Sequence, residues 1–135
     1  MQNFIYALIQ VIHNFGAVTV VGTAVSALWL VRGNIVVQHR LALFMAMAWA
    51  IQAASGMLFG ITTFWYEGHL PDIHGIAVIA LLIKIACAMA GFVLAAAYIK
   101  WHSGWAAKKR LIAWRASFML AAIALGSAAF LRWFS

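Results

Sequence analysis

Two ionisable residues lie in stretches that are otherwise apolar. One is His13, in Gln10-Val-Ile-His13-Asn-Phe-Gly16. The other is Lys84, in Leu81-Leu-Ile-Lys84-Ile-Ala86. An imidazole in such a setting can ligate a metal, relay a proton or make a buried hydrogen bond. A lysine at the centre of a membrane-spanning helix costs roughly 2.5–3.5 kcal/mol on insertion scales, and such groups usually have a partner or a task. The only acids are Glu67 and Asp72, both between the second and third apolar runs. No span therefore holds a carboxylate for Lys84. It is either uncharged or faces the anion of a ligand, such as a haem propionate or an anionic substrate group.

Three readings of His13 stand side by side. It is a neutral buried histidine bonded to a backbone carbonyl or to Gln10 or Gln52, an axial ligand of haem b, or a proton relay. Haem iron accepts His, Met, Cys or Tyr as axial ligands. The rise of about 1.5 Å per helical residue puts His13 about 14 Å below Phe4, Lys84 about 16 Å below Ile73 and Met57 about 12 Å below Trp65. The candidate cofactor-binding set is thus His13, Lys84, Met57 and Gln52. Candidate metal ligands are His13, His74 and His69, with Met57 or no second protein ligand as alternatives on the iron. Copper is the other metal the donors suit, since His69, His74, Asp72 and the Met57 thioether offer N, O and S. His69 and His74 also read as a solvated loop pair. His39, beside Arg40, reads as a solvated loop residue, and His102 as an interfacial one. No phosphate-binding loop, nucleophile elbow, H-E-x-x-H or pair of catalytic carboxylates is present.

The elements that position these residues are apolar helices. Of 135 residues, 67% are hydrophobic and 8% charged, against roughly 25% charged in a soluble domain. Four runs are long enough for the hydrocarbon core of a bilayer: about 4–31, 41–65, 73–99 and 111–131. They predict a single-domain, all-α, integral membrane four-helix bundle, up-down-up-down, with both termini on the outer side. The first run is too long for a signal-peptide core and is followed by Arg32, so it reads as a retained helix. Cys87 is the sole cysteine, so no intrachain disulfide forms. Gly56 and Gly60 make a GxxxG packing motif. Pro71 separates the second and third spans, and Asp72 is placed to cap the third, with His74 in its first turn. The first and third spans each pair an ionisable group with a strip of small residues, too loose a likeness to define a repeat.

The net charge of +7 is topological rather than a nucleic-acid footprint. Arg32, Arg40, Lys100, Lys108, Lys109, Arg110 and Arg115 lie in or beside the first and third loops. Cytoplasmic loops gather Lys and Arg, and such a surface also meets anionic lipid head groups favourably. The expected location is the bacterial inner membrane, with the termini periplasmic.

The stretch from Ile12 to Gly22 resembles the H-x-x-G/A-x-x-x-x-x-G pattern of a group of small haem- and copper-linked membrane proteins. That group includes the copper-resistance protein D domain and the HemJ-type protoporphyrinogen oxidases. Leu81-Leu-Ile-Lys84-Ile-Ala86 resembles the L-x-x-K-x-x-L of a later span in the same group. The likeness covers two of the four spans. It implies that His13 is the haem-associated histidine and Lys84 the matching buried lysine. The Tyr-Leu-Pro-Arg of the HemJ pattern and its distal histidine are missing after span one, so haem binding is implied more than porphyrinogen oxidation. The resulting expectation is a haem b protein carrying electrons between a membrane quinone and an outer-face partner. The alternative is a non-catalytic subunit, or a copper or small-molecule transport module, of a larger membrane complex.

Overall fold

The computed structural model describes residues 1–134. Four helices account for nearly all of it: α1 (Gln2–Val25), α2 (Ile35–Glu67), α3 (Ile76–Trp101) and α4 (Ala107–Phe134). Neighbouring pairs are α1/α2, α2/α3, α3/α4 and α4/α1, a closed ring with α1 and α3 on one diagonal. All four helices are long and apolar enough to cross a membrane. The chain is a multi-pass integral membrane protein with an all-α four-helix bundle.

Size, rather than polarity, separates inside from outside. The interior is built from small residues such as Ala24, Ala27, Ala42, Ala48 and Ala77, together with Met45 and Trp49. The exterior displays Phe15, Val18, Ile61 and Met89, an apolar coat suited to lipid. Lipid tails are as apolar as leucine, so helices associate by close packing, which favours small residues at their contacts. At Gly91 the contact is with the Trp49 indole, whose ring occupies the space a Cβ would need. At Gly16 the neighbour is the Gln52 amide. Gly56 and Gly60 have open space beside them instead, so the GxxxG motif makes no helix contact within this chain.

The ends depart from the expectations in instructive ways. The first helix closes with a π-helical turn, Ser26–Leu30, and the Ala27 carbonyl there accepts from Gln38 Nε2 at 3.0 Å. Asn34 caps α2, its side chain accepting from the Val37 N–H. Gly68, at φ 75°, ends α2 in the left-handed region, where glycine is favoured. Asp72 does not cap α3. The cap residue is Gly75 without a side-chain bond, and Asp72 instead pairs with His74 Nε2 at 2.5 Å. His74 thus precedes α3. His39 is no loop residue: it lies in the second turn of α2, and its ring stacks on His102 with centroids 4.6 Å apart. Tyr98 stacks on the other member of that pair and donates to Gln38 Oε1 at 3.3 Å. Arg110 donates to the carbonyls of His102 and Trp105, tying the α3–α4 link to the bundle.

Hydrogen bonds fix the register. His13 reaches Ser55, Tyr6 reaches Thr63 and Ala27 reaches Gln38, so α1 and α2 are antiparallel. Lys84 meets His13 across 71 residues. The same offset relates buried positions of α1 and its closing turn to buried positions of α3: Ile9 to Ala80, Gly16 to Cys87, Val20 to Gly91, Ala24 to Ala95 and Ala27 to Tyr98. An offset one residue longer relates Ala42, Met45, Trp49, Gln52 and Ser55 of α2 to Trp114, Ser117, Ala121, Ala124 and Ser127 of α4. The hairpins α1–α2 and α3–α4 therefore share a pattern of buried positions. The small-residue likeness of the first and third spans belongs to this repeat.

Candidate functional site

Each side chain of the site is delivered by a different local rule. His13 lies between the buried positions Ile9 and Gly16, on the inward face of α1. Gln52 and Ser55, three apart on α2, share the face turned toward it. Lys84 holds the α3 position equivalent to His13 in the repeat. Only residues at matched positions on the diagonal helices can meet near the axis, and these two do. Lys84 Nζ is 2.9 Å from His13 Nε2. By helical rise the pair lies about 16 Å in from the start of α1 and about 12 Å in from the start of α3.

The hydrogen-bond network assigns the imidazole tautomer. Ser55 Oγ has one hydrogen, and it is directed to the Ile51 carbonyl at 2.7 Å. The Ser55 oxygen then accepts from His13 Nδ1–H, 2.6 Å away. That leaves the Nε2 lone pair to accept from Lys84 Nζ, which has hydrogens whether or not it is charged. Gln52 Nε2 donates to the His13 carbonyl at 2.5 Å, fixing the backbone beneath the ring. Phe59 closes the imidazole edge with centroids 6.0 Å apart. Tyr6 stacks on Phe59 and bonds the Thr63 hydroxyl.

Among the sequence candidates, the structure brings together His13, Lys84 and Gln52. It places Met57 on the outside of α2, 65% exposed, at the expected depth but on the lipid face. His69 and His74 lie in the exposed segment between α2 and α3, beside Glu67 at 3.8 Å and Asp72 at 2.5 Å, and are not brought to His13. Gln10 bonds Asn14 on the surface of α1. Among the described residues no group of three or more His, Cys, Asp or Glu side chains gathers as a metal cage. Ser55 is the member that sequence reasoning missed. Its signal was the three-residue step from Gln52, which puts both on one helical face.

No protein-family model, curated protein or solved structure matches this chain. Histidines that bind metals nearly always donate their second ring N–H to an oriented acceptor, which fixes the tautomer and ring direction. His13 has that arrangement, with the Nε2 lone pair as the remaining ring site. The same nitrogen is covered by a primary amine, so ligand uptake at Nε2 and the His13–Lys84 bond exclude one another. The site thus offers one imidazole lone pair and one amine, held against each other.

Proposed function

We propose that the protein binds haem b within the bundle and passes electrons between a membrane quinone and a partner at the end carrying the termini. The observation that carries this reading is the oriented Nε2 of His13 facing Lys84, with both acids of the chain, Glu67 and Asp72, at the exposed α2–α3 end and away from the pair. His13 would hold the iron. Lys84, displaced from Nε2, would meet a propionate or a quinone oxygen. Haem would supply one-electron chemistry. The chain itself supplies the oriented ligand, a cation where an anion must be buried, and a lipid-facing exterior that excludes water. In the bacterial inner membrane, the Lys and Arg residues at the 31–34 and 102–106 ends would face the cytoplasm and the termini the periplasm.

Purified protein from a haem-replete host should show a Soret band and a reducible α-band, and His13→Ala should abolish both. A colourless, iron-free preparation would overturn the reading.

One observation favours a second reading, that the chain is a subunit or transport module of a larger membrane complex, with copper or a small molecule as cargo. Gly56 and Gly60 face open space, where a partner helix could approach closely. Metal analysis and native mass of the detergent-solubilised protein separate the two: iron in a lone chain supports the first, copper or a co-purifying subunit the second.

A further inference from the structure

The site draws on matched positions of the two hairpins. His13 and Lys84 occupy matched positions in the two hairpins, and Ser55 holds His13. The position matched to Ser55 is Ser127, on α4. Ser127 is buried, 8% exposed. Its hydroxyl makes no hydrogen bond among the described residues, whereas Ser55 bonds His13 and its own preceding turn. The level is also right. The Tyr98–Trp114 ring contact, with centroids 5.2 Å apart, aligns α3 with α4. Along the helices from that contact, Lys84 is about 21 Å away and Ser127 about 20 Å. A hydroxyl with no partner, on a residue that is itself largely buried, thus lies level with Lys84 on the adjacent helix.

We infer that Ser127 is a second positioning residue of the site, which accepts a hydrogen bond from Lys84 Nζ when the amine leaves His13 Nε2. The departure of Lys84 on ligand uptake rests on the haem reading. The docking of the released amine on Ser127 does not. A lysine freed inside a span must still find acceptors, because an unsatisfied polar group there is costly. Ser127 offers an oxygen and can give its own hydrogen to the carbonyl one turn back, as Ser55 does.

The experiment is a double-mutant cycle on the full chain in detergent, free of haem. His13→Ala releases Lys84 without any ligand. In the wild-type background Ser127→Ala should shift Tm by no more than about 2 °C, and in the His13→Ala background it should lower Tm by a further ~4 °C or more. Ser127→Thr should restore the value, and adding Lys84→Met should erase the difference. Equal effects of Ser127→Ala in both backgrounds, or an effect that survives Lys84→Met, would assign Ser127 to packing and overturn the proposal. A second arm uses haem. In loaded protein Ser127→Ala should weaken haem retention about tenfold, an effect of about 1.4 kcal/mol, with Ser127→Thr near wild type. If wild-type protein takes up no haem, the haem reading fails while the cycle still decides the role of Ser127.

Discussion

At the scale of single residues, His13 and Lys84 were legible because an ionisable group stands out in an apolar run. Their contact was not legible, since α1 and α3 are diagonal and nothing in spacing alone says which helices oppose. Ser55 was hidden for a different reason. A serine in a membrane helix commonly bonds the carbonyl four residues back, as this one does, and only the folded bundle shows that its oxygen also receives the imidazole. Ser55→Ala should therefore leave His13 Nδ1–H without an acceptor, at a cost of about 1–3 kcal/mol. The expected readings are a lower melting temperature and, in nitrogen-labelled histidine spectra, loss of the single tautomer. Ser55→Thr should retain both. An unchanged tautomer in Ser55→Ala would remove the serine from the orienting role.

At the scale of elements, helix number and approximate boundaries followed from apolar length. Helix faces did not. In a bilayer both sides of a helix are apolar, so a hydrophobic stripe no longer points inward, and Met57 could be placed in depth but not in direction. Residue size carries the missing signal, though only at the contacts that form. The named motif, Gly56 and Gly60, faces open space, while the glycine that takes a neighbour's ring is Gly91 under Trp49. Gly91→Ala should drive a methyl group into the indole and cost about 1–3 kcal/mol. Gly56→Ala, in a helix interior with room for the methyl group, should be neutral or mildly stabilising in the isolated chain. Thermal melts of the two variants in one detergent check the contrast. A destabilising Gly56→Ala would mean that this face is packed in the solubilised protein.

At the scale of the whole molecule, the repeat explains why a histidine and a lysine meet at all. Few identities link the two hairpins at the matching offset, because lipid-facing positions exchange freely among apolar residues and only burial is held. The likeness therefore shows in the packed interior and not in the letters. If the shared pattern of the two hairpins governs the site, the two ionisable groups should be exchangeable. In the double variant His13→Lys with Lys84→His, the imidazole would stand beside Ser127 and the amine beside Ser55, so each group again has a hydroxyl and the other nitrogen as neighbours. That variant should melt within a few degrees of wild type. His13→Lys alone places a second amine in the span beside Lys84, removes the lone pair that Lys84 donates to, and should cost more than about 2 kcal/mol. Recovery of stability in the double variant over this single one is the measurement that checks the exchange. A double variant no better than His13→Lys would mean that the Ser55 side of the site is built for imidazole alone, and that the hairpins share a packing pattern without sharing a site.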